Sequence, residues 1–399
     1  AIIYYHAPDE KRKAVRCLER WQKGFLGHYW GEAQYFLLPA LDPKRIRPTT
    51  ADLIRVLERK FSHYPKDYFL RYGSSGGGVG SKLDPNLDKI SDRAWLKIVT
   101  NPKIAKRLSR KWIQVDSNHV LEASIEQFAR SLARIAQRFP ERFGQLALKF
   151  PENVDPMYIS AILGGLKAKQ PGNQVPESEK RTWEPAQIET IEAVLDKYQS
   201  GDDQEIAMAF CWLMAERADE NWSDRAIARL VYYASNHPDP INDKLIIHSD
   251  KSSDEATIEM LFQNTINCVR GAAANAIGQL LWNHQDWIEK VMPGIQSIVH
   301  DPHPVVRMAA LEAIFPVLNI DKDLAVQWFY KACESDLRVA ASPRALHIFN
   351  YIIPSHIDLV SPIIKGMVKS QQDEVAMQGA SQVTARWIFF GYFKKEVEK

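Results

Sequence analysis

A nine-residue pattern occurs twice in the C-terminal half of this chain, 37 residues apart. Residues 269–277 read VRGAAANAI and residues 306–314 read VRMAALEAI. Weaker copies lie at 337–341 and around Gly379. Periods of about 30–40 residues are typical of arrays in which each unit is a pair of helices that stacks on its neighbours. The repeat therefore predicts an all-α fold, an α-solenoid of helical hairpins.

The residues of the repeated pattern indicate how one unit packs against the next. Paired small residues allow two helices to approach closely, and the valine is expected to face the core. The arginine that follows, Arg270 or Arg307, is expected to bond to an acid or a carbonyl of the neighbouring repeat, which is a structural role. In residues 301–304, DPHP, proline restricts the turn and the acidic residue suits a helix N-terminus.

The overall composition is that of an ordinary globular protein. Hydrophobic residues make up 45% and charged residues 25% of the 399 residues. No run approaches 18 consecutive apolar residues, so no membrane-spanning helix is expected. The first residues lack the basic flank and apolar run of a signal peptide. Because the four cysteines are far apart, as for thiols in a reducing compartment, we expect a cytoplasmic protein.

The net charge of +2 hides a strong asymmetry along the chain. Residues 1–150 contain 28 Lys and Arg against 15 Asp and Glu, a net charge of +13. Residues 151–399 contain 23 against 34, a net charge of −11. This division favours an interaction surface in the basic part, where charge could steer an acidic partner.

The cations of the basic part are spaced as on helices. Five of them follow Asn101-Pro102 and share one predicted helix face with an apolar stripe beside it: Lys103, Lys106, Arg107, Arg110 and Lys111. Three more lie at intervals of four on a helix predicted over 120–139: Arg130, Arg134 and Arg138. Two interpretations stay open. The row could bind phosphate in a salt-dependent way, or it could be an ordinary solvated face or a surface that docks onto acidic segments elsewhere.

Motifs for catalysis, cofactors and metals are missing from the sequence. In the glycine-rich stretch 73–81, Gly80 is followed by Ser81-Lys82-Leu83, so the lysine and hydroxyl of a P-loop are out of place. The closest two cysteines are 57 residues apart, and neither H-E-x-x-H nor G-x-S-x-G occurs. We predict no catalytic residue, no cofactor and no metal ligand. An active site assembled from residues distant in sequence is a third hypothesis.

Shifts in composition suggest four regions. Polar or glycine-rich stretches separate them, and a further long loop is predicted over 237–255. The predicted regions are an N-terminal helical region (1–72), a glycine-rich loop (73–90), a basic helical region (91–170) and a repeat array (181–399).

The Asp…Val-Arg-x-Ala-Ala pattern resembles the HEAT repeat family over about residues 200–390. The order of three further stretches, 76–98, 140–163 and 266–273, resembles the C-terminal helical region of large bacterial STAND-type NTPases. Such proteins join a nucleotide-binding switch to a long repeat sensor, and some act in antiphage defence. This chain has neither a Walker motif nor an effector domain, so the resemblance implies the sensor part of a longer chain with an upstream NTPase domain.

These observations lead to two functional expectations. The first is a non-catalytic repeat scaffold or sensor that binds a protein partner along its extended surface. The alternative is a nucleic-acid-binding repeat protein that uses the basic region 103–142.

Overall fold

The computed structural model describes residues 31, 34, 35, 38, 42, 44, 46–62, 78–101, 103, 112–115, 119–173, 175–199, 203–241 and 257–394. The chain divides into two compact units. One comprises residues 1–78 with 115–120, and the other comprises 79–114 with 121–399.

The first unit is built around helix α1 (Pro48–Lys60). Its first residue is Pro48, whose fixed φ suits the first helical turn. Buried Leu57 packs with Leu38 and Phe61 into a small apolar cluster.

A small sheet departs from the sequence prediction, which contained no strands. Strands β1 (Gly78–Ser81), β2 (Trp112–Gln114) and β3 (His119–Glu122) pair with β3 in the centre. Strands of three or four residues are too short to show an alternating pattern, so the sequence predicted none of them. A 3₁₀ helix (Asp84–Lys89) follows β1, so the segment predicted as a loop over 73–90 contains regular structure. Residues 73–77 lie outside the described residues.

The second unit otherwise consists of helices. In chain order they are α2 (Asp92–Val99), α3 (Ile125–Arg138), α4 (Pro140–Ala147), α5 (Pro156–Leu166), α6 (Glu177–Lys180), α7 (Ile188–Lys197), α8 (Gln204–Glu216), α9 (Asp224–Asn236), α10 (Ile258–Asn264), α11 (Val269–Asn283), α12 (Ile288–Val299), α13 (Pro304–Val317), α14 (Lys322–Glu334), α15 (Leu337–Ala340), α16 (Pro343–Val368) and α17 (Asp373–Phe390).

These helices stack in two layers. In one layer α3, α5, α8, α11 and α13 each pack against the next, and in the other α4 packs against α7, α9 against α12 and α12 against α14. Neighbours along the chain connect the layers, as α11 does with α12 and α13 with α14. Each repeat is thus a helical hairpin that stacks on its neighbours. The predicted all-α solenoid is confirmed.

The helix boundaries around Pro140 show how local chemistry sets them. The helix predicted over 120–139 begins at Ile125, because His119–Glu122 is a strand and Ser124 Oγ accepts a hydrogen bond from the Gln127 N–H at 3.3 Å. As predicted, the helix stops before Pro140. Pro140 is itself the first residue of α4, since proline is favoured at the first helical position.

The two copies of the repeated pattern occupy equivalent places. Val269 opens α11 and Val306 lies in the first turn of α13, and both are fully buried. Gly278, the residue directly after the first copy of the pattern, lies close to α13. A Cβ atom at that position would lie 2.4 Å from the backbone oxygen of Glu312 on α13. The small residue at this position therefore allows the two helices to approach closely.

Candidate functional site

The predicted basic surface is only partly described. Lys106, Arg107, Arg110 and Lys111 lie outside the described residues. Lys103 is exposed, and its backbone N–H bonds to the Asn101 side chain at 2.9 Å. Arg130 is exposed on α3.

The remaining arginines of this row face an acidic segment. Arginines at intervals of four along α3 and α4 pair with aspartates at the same interval along the 3₁₀ helix and α2. We call the three aspartates, Asp84, Asp88 and Asp92, the acidic clasp. The pairs are Arg134 with Asp84, Arg138 with Asp88, and Arg142 with Asp92. Each row crosses from one helix into the next, so the match between the two rows comes from the packing of these helices.

Of the arginines paired with the acidic clasp, Arg138 has the most extensive contacts. Besides Asp88, its guanidinium binds both oxygens of Glu179, with 2.6 Å between Nε and Oε2. The ring of Phe139 lies 5.1 Å from the guanidinium carbon. The carboxylates of Glu179 and Asp88 raise the pKa of Arg138, and the Arg138 guanidinium lowers the pKa of Glu179. Arg138 is therefore a structural cation that is already neutralised.

Asp84 is held by three donors. Arg134, the Ser131 hydroxyl at 2.8 Å and the Ser81 backbone N–H at 3.0 Å all donate to its carboxylate. Burial by itself would raise the pKa of Asp84, but these hydrogen bonds outweigh it and lower the pKa. The carboxylate of Asp84 therefore stays ionised and paired with Arg134.

The acidic clasp answers part of the question that the sequence left open. Arg134 and Arg138 dock onto acidic residues of the same protein, as the second interpretation stated, rather than forming an unneutralised row. The signal was present in the sequence, since residues 84, 88 and 92 carry acids at the interval of the arginines. Buried Trp95, whose ring meets Phe143 edge-on at 6.1 Å, anchors the clasp through the core.

The arginine of the repeated pattern has the predicted structural role. Arg270 is buried, and its Nε lies 2.7 Å from Oδ2 of Asp301 in the next repeat. It also donates to the backbone carbonyls of His237 at 2.7 Å and Pro240 at 3.1 Å. In the second copy, Arg307 donates to the carbonyl of Asp301 at 2.6 Å. The bonds of Arg270 join successive repeats through their loops, whereas Arg307 bonds to the loop that leads into its own helix.

His303 lies close to Arg270 and Arg307 and caps α13. Its Nδ1 accepts a hydrogen bond from the Val305 backbone N–H at 3.2 Å, which requires an unprotonated Nδ1. Its Nε2 is buried and has no hydrogen-bond partner among the described residues. Burial lowers the pKa of His303 below its ordinary value of 6.5, although Asp301 opposes this shift.

This cap makes the array's stability depend on pH. Because the pKa of His303 is lower in the folded chain, the unfolded chain binds more protons below pH 6.5. The contribution of His303 to the free energy of unfolding is expected to be fully present above pH 6.5. It should be lost as the pH falls towards the folded-state pKa of His303. His303→Asn, which replaces the capping nitrogen with a side-chain oxygen, should remove this slope in denaturant titrations at pH 7.5 and 5.5. His347→Asn, at an exposed site, should keep it. Equal slopes in the wild type and His303→Asn would contradict the assignment.

Aromatic side chains from three successive repeats meet at the surface. Trp282 of α11 contacts Phe315 of α13 edge-on, with 5.5 Å between ring centroids. Phe315 in turn lies 5.0 Å from His347 and 5.6 Å from Tyr351, both on α16. We call these four residues the aromatic ridge.

The aromatic ridge is open to solvent, since Trp282 is 43% and Tyr351 49% exposed. Arg344 stacks on Phe315 at 4.9 Å and pairs with Glu312 at 2.6 Å, so this cation is already neutralised. The sequence reasoning missed the ridge. The available signal was the spacing, because residues 282, 315 and 351 are 33 and 36 apart, close to one repeat.

A surface groove of about 230 Å³ lies among α7, α8 and α9. Arg229 spans it and donates to the carbonyls of Leu195 at 2.6 Å and Tyr198 at 3.0 Å, at the C-terminal end of α7. The guanidinium also stacks on Phe210 and Tyr233. Arg229 therefore caps a helix, and its hydrogen bonds are used within the protein.

Other chemistry-bearing groups are dispersed. Within the described ranges, no three His, Cys, Asp or Glu residues are placed to hold a metal ion. Cys211, Cys268 and Cys333 are buried, and burial raises the pKa of each thiol, which keeps them protonated. No helix in the part of the chain described above is both long and apolar enough to cross a membrane.

Comparisons with known proteins gave no match to this chain among protein-family models, curated proteins or solved structures.

Proposed function

We propose that this chain is a non-catalytic helical-repeat scaffold that binds a protein partner through the aromatic ridge. The observation that carries the proposal is the row of Trp282, Phe315 and Tyr351 across three stacked helices. Rigid aromatic side chains lose little conformational entropy on binding and dominate the energetic centres of protein interfaces. Helices α11, α13 and α16 hold these rings in place before a partner arrives, which lowers the cost of association.

The chemistry of the ridge favours a protein over a nucleic acid. Aromatic rings can stack on bases, but such sites combine stacking with cations that follow the phosphates. The cation on this ridge, Arg344, is paired with Glu312. A partner segment that presents apolar side chains fits this uncharged row best.

A photo-crosslinking residue at Tyr351, with a second one at Tyr232 as control, tests the ridge. Tyr232 is similarly exposed, but it lies on α9 and outside the ridge. We expect a protein to be captured at 351 and not at 232. After purification, its affinity should fall at least about tenfold for Trp282→Ala with Tyr351→Ala, as for interface hot spots. Phe262→Ala, at another exposed site, should bind like the wild type.

Two outcomes would overturn the proposal. One is a captured partner that binds the ridge variant as tightly as the wild type. The other is salt-dependent binding of single-stranded DNA in anisotropy titrations that is lost in Arg130→Ala, which would favour the nucleic-acid alternative. Thermal unfolding of each variant shows whether it is folded.

We further propose that the hairpins are HEAT-like repeats and that the array is the sensor region of a bacterial STAND-type defence NTPase. The support is the sequence resemblance in the repeated pattern and in residues 76–98, 140–163 and 266–273. Capture at 351 from phage-infected and uninfected cells addresses this proposal. A partner that appears only on infection supports the defence role, and the same partner in both samples contradicts it.

A further inference from the structure

Helix α17, the last of the described helices, carries exposed apolar side chains. Met377 and Ile388 are each 63% exposed, and Phe389 is 75% exposed. Phe390 beside them is also exposed. Helical spacing puts Met377 and Ile388 on one face, whereas Phe389 and Phe390 project about 100° and 200° around the helix from Ile388.

The opposite face of α17 is firmly packed. Val375, Gly379 and Val383 are buried, and a Cβ at Gly379 would lie 2.6 Å from the backbone nitrogen of Val368 on α16. The described contacts of α17 are chiefly with α16, whereas a helix inside the layer such as α11 is packed on both sides. The outer face of α17 is therefore a rigid, preformed surface.

The pattern on that face is self-complementary. Its exposed residues lie at intervals of three and four, with large apolar side chains near both ends and small ones between: Met377, Ala380, Ser381, Thr384 and Ile388. If a second copy of α17 packs antiparallel, with the two-fold axis between residues 382 and 383, Met377 of each copy lies opposite Ile388 of the other. The small residues then face each other, where they allow close approach of the two helices.

The charges on α17 also favour the antiparallel orientation. Asp373 and Glu374 both lie in the first turn of α17. A parallel pair would place these carboxylates side by side, whereas an antiparallel pair keeps them at opposite ends of the interface. A two-fold interface uses the same patch on both subunits, which this face satisfies.

We propose that two copies of this chain associate through the outer face of α17, packed antiparallel as a symmetric homodimer. The face is separate from Trp282 and Phe315 of the aromatic ridge, so the dimer does not depend on the function proposed above. Loss of dimerisation and loss of partner capture at 351 are distinguishable results.

Analytical ultracentrifugation of the full chain tests the dimer and its register. We expect the wild type to show twice the 45.6 kDa mass of one chain. Met377→Glu alone and Ile388→Lys alone should each raise the dissociation constant at least about tenfold, because each buries an unpaired charge. The double variant should recover the dimer, because its acidic and basic side chains would face each other across the axis. Ile266→Glu, at another exposed apolar site, should leave the mass unchanged.

Three results would overturn the proposal. The first is a wild type that stays monomeric up to about 100 µM, a concentration far above the micromolar dissociation constants of modest interfaces. The second is a dimer that Met377→Glu does not weaken. The third is a double variant as monomeric as the single ones, which would exclude the antiparallel register. Circular dichroism of each variant shows that α17 is still folded.

Discussion

Replacing Arg270 with methionine is expected to lower the free energy of unfolding by about 3–5 kcal/mol, the range for removing one partner of a buried ion pair. The Arg270 and Asp301 side chains are only 9% and 7% exposed. The substitution leaves Asp301 charged and buried, and it removes the donors to the carbonyls of His237 and Pro240. Denaturant titrations followed by circular dichroism measure the loss.

Two further variants separate the ion pair from general effects. Adding Asp301→Asn to Arg270→Met removes the orphaned charge, so the double variant should lose less stability than the two single variants combined. Arg225→Met removes an exposed pair with Asp196 and should cost less than about 1 kcal/mol. If Arg270→Met costs no more than Arg225→Met, the buried pair does not join the repeats as argued.

Replacing Gly278 with alanine is expected to destabilise the array by about 1–3 kcal/mol, the usual cost of overpacking. In an open helix the same change would stabilise by about 0.5–1 kcal/mol, because glycine is the poorer helix former. At Gly278 the added methyl would lie 2.4 Å from the Glu312 carbonyl oxygen, and that oxygen belongs to the backbone of α13. The two helices must then move apart, which loosens the contact between repeats.

Gly164 provides the matched control. It also lies inside a helix, α5, but nothing lies within 4 Å of a Cβ added there. Gly164→Ala should therefore stabilise the protein, whereas Gly278→Ala destabilises it. Thermal unfolding of the two variants compares the signs directly. A stabilising Gly278→Ala would mean that α11 and α13 are not in close contact.

Much of the array could be predicted from its sequence. The repeated pattern predicted the equivalent helices α11 and α13, their buried valines and the inter-repeat bonds of Arg270. Each of these depends on a local pattern that recurs at a fixed interval. The small sheet could not be predicted, because β2 spans only three residues and its pairing depends on strands that are distant in sequence.

The surfaces were harder to predict than the core. In the sequence, Arg134 and Arg138 belong to a basic row. The acidic clasp that neutralises them in the structure lies 50 residues earlier in the chain. The aromatic ridge posed the opposite problem. Trp282 and Tyr351 each have apolar neighbours in sequence and resemble core residues, and only the stacking of three repeats places them at the surface.

The sequence by itself determined the all-α repeat architecture, the close approach of small residues and the structural role of Arg270. Those features follow from helical periodicity and from residue size, which act over a few turns. Only the tertiary structure decided which charges are neutralised and which apolar side chains stay exposed. The physical reason is that burial and ion pairing depend on what the stacked helices bring together, and the charge of a segment depends on its partner as much as on its own residues.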